Sequence, residues 1–114
     1  MLQRHFEAIA FPNIPAPYDL LVETKEGKFL KCQVKTADST SSNKGNNYWQ
    51  FRTTHGTQKY TKQMIDFFAF VILPKRKIVF GTPESMGKTF WVPMHLATSE
   101  NEQKTLESVL GKYL

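Results

Sequence analysis

An α+β fold is what this sequence predicts, a mixed sheet of about five strands with a helix packed against it. Three stretches support that expectation. Residues 17–35, PYDLLVETKEGKFLKCQVK, hold two short apolar runs separated by Thr24-Lys25-Glu26-Gly27, the pattern of a β-hairpin. Residues 65–73, IDFFAFVIL, form a near-continuous apolar run, as expected of a strand buried on both faces in the centre of a sheet. Farther on, Leu106, Val109, Leu110, Tyr113 and Leu114 recur at helical spacing behind Ser99-Glu100-Asn101-Glu102, which reads as a capping box. That stretch is expected to be an amphipathic helix covering one sheet face, with its stripe also suited to a dimer surface.

At the start, Phe6, Ala8 and Ala10 alternate with Glu7, Ile9 and Phe11, a two-residue period that predicts a strand running into a turn region at Pro12, Pro15 and Pro17. The hairpin follows. Gly27 supplies the positive φ that a three-residue loop requires, and that loop sets Thr24 opposite Lys28. Counting back along both strands then puts Asp19 across from Gln33. Since strand residues two apart point the same way, Asp19, Gln33 and Lys35 share one face, while Leu20, Val22, Cys32 and Val34 turn toward a core. Neighbours of this kind lie within about 5.5 Å between Cβ atoms.

A carboxylate, an amide oxygen and an ammonium are thereby gathered in one place. Asp19 and the Gln33 oxygen are hard donors suited to Mg²⁺ (or Mn²⁺), which keeps several waters and is often held by one or two protein groups plus substrate phosphate. Lys35 could orient or deprotonate an attacking water and stabilise charge on a phosphorane-like transition state. The same residues also suit an ordinary solvated hairpin face.

Thr36-Ala37 is expected to end the strand, and residues 38–47, DSTSSNKGNN, offer nothing apolar to bury and read as a surface loop. Residues 48–52 alternate aromatic and polar groups and suit a third strand of the same sheet, with Tyr48, Trp49 and Phe51 packed in the core rather than stacked on bases. His55-Gly56 marks a turn, with His55 either exposed there or placed as a proton shuttle. Asp66 opens the apolar run as a structural anchor. Pro74-Lys75-Arg76-Lys77 is a basic turn into a second hairpin strand, KIVFGT. Gly87-Lys88-Thr89 lacks the upstream glycine of a phosphate-binding loop, so ATP is not implied. Phe90-Trp91-Val92-Pro93 is a last short strand whose proline suits an edge.

Composition narrows the partners. The 114 residues suit a single domain spanning 1–114, and a single cysteine excludes an intramolecular disulfide. There is no Cys/His cluster for zinc. No apolar run approaches the roughly 20 residues of a membrane span, and residues 1–12 lack a signal-peptide core, so a cytoplasmic, non-membrane protein is expected. The net charge is +5, yet residues 28–77 alone carry ten Lys and Arg against two Asp. A polyanion is the expected partner, with Lys31, Lys44, Arg52, Lys59 and Lys62 as candidate nucleic-acid contacts.

Pro17-Tyr18-Asp19 on one strand followed by Gln33-Val34-Lys35 on the next resembles the bipartite signature of the PD-(D/E)XK nucleases. PYDLLVE, then KCQVKTA, then the run from Tyr60 ending in IDFFAFV, is similar to the group I intron-associated, homing-endonuclease-like branch, in which Gln replaces the usual acid. The resemblance spans residues 16–93. It implies a restriction-endonuclease-like core and a metal-dependent endonuclease that hydrolyses phosphodiester bonds in double-stranded DNA as a homo-oligomer. It further implies that Asp19, Gln33 and Lys35 are catalytic, that Asp19 and Gln33 bind the metal, and that Tyr60 is a substrate contact. Members of that group begin with a helix bearing a further acidic ligand. Glu7 is the only acid ahead of Asp19 here, on a stretch that reads as a strand, so the alternative is a nucleic-acid-binding protein of the same fold that does not cleave. A basic adaptor for an acidic partner is a third reading.

Overall fold

The computed structural model describes residues 6–12 and 16–113. Its main sheet has five strands, β1 (Phe6–Ala10), β2 (Leu20–Thr24), β3 (Phe29–Ala37), β8 (Phe67–Ile72) and β9 (Lys77–Gly81), side by side in that order. All neighbours are antiparallel except β3 and β8, which run parallel, so the sheet is mixed as expected. The hairpin register is the one the loop length dictates. Leu20 pairs with Cys32 and Glu23 with Phe29, Gly27 sits at φ +86°, and the Gly27 N–H donates to the Thr24 carbonyl at 3.0 Å.

Alternation along β3 and β8 splits the interior in two. On one face Cys32 lies beside Phe67 and Val34 beside Ala69, and with Val22, Leu30 and Phe80 they pack under the helix α1 (Ser99–Gly111) through Leu106 and Val109. On the other face Gln33 lies beside Phe68 and Lys35 beside Phe70. Here Phe68, Phe70, Ile72 and Val79 meet Trp49, Phe51 and Val92 of a second layer. That layer is a three-stranded sheet in the order β10 (Thr89–Pro93), β5 (Asn46–Arg52), β4 (Ser41–Asn43). A small ribbon, β6 (Thr54–His55) and β7 (Gln58–Lys59), completes the strands.

The second sheet corrects two sequence expectations. Residues 48–52 are strand, but in the second layer rather than in the main sheet, because Phe51 packs on Phe70 and Trp49 joins the same buried cluster from a separate sheet instead of hydrogen bonding to β3. The polar run at 38–47 is a hairpin, not a loop. Lys44 and Gly45 both take positive φ, 52° and 83°, as the tight turn that matches strand twist requires, and β4 needs no apolar residue because it is an edge strand. The last strand, β10, is an edge and closes on Pro93 as expected.

The helix also begins one residue earlier than the motif suggests. Thr98 is the cap, its Oγ1 accepting from the Asn101 N–H at 3.1 Å. Glu102 does not fold back on the helix start. Its Oε1 accepts the Ile78 N–H at 2.7 Å, and Thr105 Oγ1 accepts the Phe80 N–H at 3.0 Å. Those two N–H groups point outward from β9, the sheet edge, so α1 both covers the core and closes the edge to further pairing. Tyr113 pins the helix end, donating its hydroxyl to the Asp66 carbonyl at 2.6 Å, while Lys28 Nζ donates to the Tyr113 carbonyl. Leu114 and Pro15 lie outside the described residues. None of the described helices is long and apolar enough to cross a membrane.

Candidate functional site

Asp19 stands just ahead of β2, where its own N–H donates to the Cys32 carbonyl at 2.8 Å and turns the side chain toward β3. Its Oδ2 accepts from Gln33 Nε2 at 2.8 Å and from the Val34 backbone N–H at 2.9 Å. Two donors on one oxygen fix the carboxylate. Among the described residues no hydrogen bond to Oδ1 is found, and Asp19 is exposed.

Lys35 lies two residues beyond Gln33 on the same face, with its Nζ 5.2 Å above the centre of the Tyr60 ring. Tyr60 is itself held edge-on against Phe68, with ring centres 5.3 Å apart. An ammonium over an aromatic face is attracted by the ring quadrupole, typically by about 0.5–1 kcal/mol at accessible sites. The ring is therefore a seat for the amine. Burial holds the Lys35 ammonium below its usual lysine range; the Asp19 carboxylate pulls it back up, and the Arg52 guanidinium pushes it down again. Tyr60 shifts upward, through burial and then the Asp19 charge. Asp19, Lys35, Tyr60 and Arg52 thus form one electrostatic neighbourhood.

Tyr60, named as a substrate contact, is only 6% exposed and meets the site from beneath, through Lys35. Lys31 shares the face of Gln33 and Lys35 but donates from Nζ to the Gln63 carbonyl at 2.5 Å. Its backbone N–H is held by Asp66 Oδ2 at 2.7 Å, so Asp66 is an anchor between β3 and the start of β8. Lys59 and Lys62 are exposed on either side of Tyr60, Lys44 is exposed at the β4–β5 turn, and Arg52 is exposed at the end of β5. Glu7 lies on β1, at the register irregularity between Phe6 and Ala8, and not on a helix. Its side chain, like that of His55, lies outside the described residues.

The donors present suit a hard divalent cation. Asp19 offers a carboxylate oxygen that no donor among the described residues occupies, and an amide such as Gln33 can face a carboxylate with its NH₂ or a cation with its oxygen. Among the described residues no group of three His, Cys, Asp or Glu is gathered, so a cation here would rely on water and substrate oxygens for most of its shell. Lys88 and Thr89, which lack the spacing of a nucleotide loop, line a depression with Arg52. A cation next to a hydroxyl was the available signal.

A family model described as PD-(D/E)XK endonuclease matches residues 13–111. Among solved structures, the chain is similar to a bacterial homing endonuclease, I-Ssp6803I, at 19% sequence identity and a TM-score of 0.65, over 93% of this chain and 80% of that one. No curated protein matches.

Proposed function

The chain belongs to the PD-(D/E)XK endonuclease family, and on that premise we propose that it hydrolyses phosphodiester bonds of double-stranded DNA at Asp19, Gln33 and Lys35. The observation that supports this most is the contact between Asp19 Oδ2 and Gln33 Nε2 at 2.8 Å, on a solvent-facing sheet end that also carries the Lys35 amine. Nucleases of this family generally use divalent metal ions. Asp19 and the Gln33 oxygen would hold the ion, Mg²⁺ or Mn²⁺, with Glu7 as a third candidate. When bound, it supplies Lewis-acid stabilisation of phosphate charge and acidifies a water.

The chain's own groups do the rest. The Val34 N–H and Gln33 keep Asp19 in one orientation, so little reorganisation is needed when charge develops. Lys35, steadied over Tyr60, faces the scissile phosphate from the same side. Burial holds its pKa below the usual lysine range, the direction that a group accepting a water proton needs. The exposed cations Lys44, Arg52, Lys59 and Lys62, with the remaining N–H groups of Lys31, bind the phosphate backbone without reading sequence. On the same reading the chain acts on its duplex as a homo-oligomer.

Divalent-dependent nicking of plasmid DNA tests the proposal. Asp19→Ala and Lys35→Ala should lose it and Lys104→Ala, exposed on α1, should keep it. Salt-sensitive binding without nicking by the unmutated chain would favour the non-cleaving reading, and no binding at low salt would favour an adaptor.

A further inference from the structure

Beyond the three proposed catalytic groups, the second sheet carries a depression of about 360 Å³ lined by Arg52, Thr54, Gly56, Thr57, Lys88 and Thr89. We propose that this depression is a second, non-scissile phosphate subsite, holding a backbone phosphodiester of the same duplex whose scissile bond lies at Asp19 and Lys35. The inference rests on the nuclease reading and extends it to a site assembled by different elements.

Four observations lead there. First, its side chains are of one chemical kind. Among the described residues, two cationic side chains and three hydroxyls line it and no carboxylate does, a donor set for an anion with several acceptor oxygens. Second, the geometry is set by strand pairing and not by flexible chain. Arg52 and Thr89 are Cα partners at the end of the β5–β10 ladder, and Lys88, which precedes Thr89, lines the same depression. Thr53, between Arg52 and Thr54, is only 2% exposed. It fastens the strand to the loop carrying Lys88, its N–H donating to the Lys88 carbonyl at 2.9 Å and its Oγ1 to the Gly87 carbonyl at 2.5 Å. Third, part of the lining is the tight turn between β6 and β7, where Gly56 leaves open space above its backbone for a ligand to approach. Fourth, the depression adjoins the proposed catalytic face. Phe51, the residue before Arg52, packs on Phe70 with ring centres 4.9 Å apart, and Phe70 is the Cα partner of Lys35. The Arg52 charge accordingly reaches Lys35.

A bound phosphate here would fix the duplex by a second point, so that the scissile linkage arrives at Lys35 in one register. The test uses the full chain with Asp19→Ala, which removes cleavage from the readout. Binding to a fluorescein-labelled duplex is followed by anisotropy across a KCl series, with Lys88→Gln or Lys104→Gln added. Lys88 is exposed, so its loss leaves the core intact. The expected result is weaker binding with Lys88→Gln and a slope of log K against log salt shallower by about 0.9, the value for one phosphate contact, with Lys104→Gln unchanged. Equal slopes for the two variants overturn the subsite. If equal slopes accompany loss of nicking in Asp19→Ala alone, only the subsite fails and the nuclease reading stands. A chain that neither nicks nor binds duplex overturns both.

Discussion

Replacing Glu102 by alanine tests how the helix and the sheet edge are joined. Glu102 is 8% exposed, and its Oε1 is the acceptor for the Ile78 N–H at 2.7 Å. Truncation leaves that N–H under α1 without its acceptor. Hydrogen bonds to charged groups contribute about 1.5–3 kcal/mol, and the higher helix propensity of alanine offsets a few tenths of that. The net expectation is a loss of about 2 kcal/mol. With an unfolding entropy near 2.1 cal/mol/K per residue, 114 residues give about 0.24 kcal/mol/K, so the melting temperature should fall by about 8 °C. Glu102→Gln keeps an oxygen in place and should lose about half as much. Glu100→Ala, one turn-mate away but exposed, should stay within about 2 °C, the range of ordinary surface substitutions. Differential scanning calorimetry of the three variants is the assay. If Glu102→Ala melts with Glu100→Ala, the edge N–H is satisfied by water and the bond does not hold the helix to the sheet.

Three further outcomes follow from the site. Gln33→Glu replaces the donor on Asp19 Oδ2 with a second carboxylate, so the variant should melt several degrees below wild type in EDTA and gain more than wild type from added Mg²⁺ or Mn²⁺; a gain no larger than that of wild type would refute the paired-ligand role. The lowered pKa of Lys35 means that, between its folded value and the usual 10.5, the unfolded chain holds a proton that the folded chain has released. Stability should therefore rise with pH across that window relative to Lys35→Met, read from urea midpoints between pH 8 and 10.5; a flat difference would show that the amine is not buried enough to matter. Cys32 is 2% exposed, and burial, then the nearby Asp19 charge, push its thiol up to about 12, so native protein at pH 8 should react with a thiol reagent only as fast as it opens, and denatured protein at once. Fast labelling of native protein would contradict the packing under α1.

What was legible in the sequence was local. Gly27 fixes a loop length, the loop length fixes a register, and the register puts Asp19 against Gln33 without reference to anything distant. The apolar run of β8 announced burial on both faces, and the stripe of α1 announced a covering helix. Partner choice was not legible. The alternation in residues 48–52 says that Trp49 and Phe51 point inward, but a period of two is the same in any sheet, and their membership of a second layer depends on Phe70 and Val92. The β4 strand was hidden because an edge strand two layers from the helix has no need of apolar residues. Nothing near Tyr60 in the sequence reveals Phe68 beneath its ring. Lys88 was judged against a nucleotide loop and dismissed, whereas its neighbour Arg52 comes from a strand 36 positions earlier.

The hairpin has a consequence for the order in which the molecule assembles. Asp19 and Gln33 are separated by 14 positions, whereas the Lys31–Asp66 contact that starts the β3–β8 pairing closes 35. By chain statistics the shorter closure costs about 0.8 kcal/mol less entropy, and it needs no crossover. The acid, the amide and the amine can therefore meet on an early two-stranded nucleus, while the aromatic seat beneath the amine arrives only when the distant strand docks. The three groups proposed as catalytic therefore belong to one local hairpin, whereas the ring beneath the Lys35 amine depends on the distant strand through Phe68.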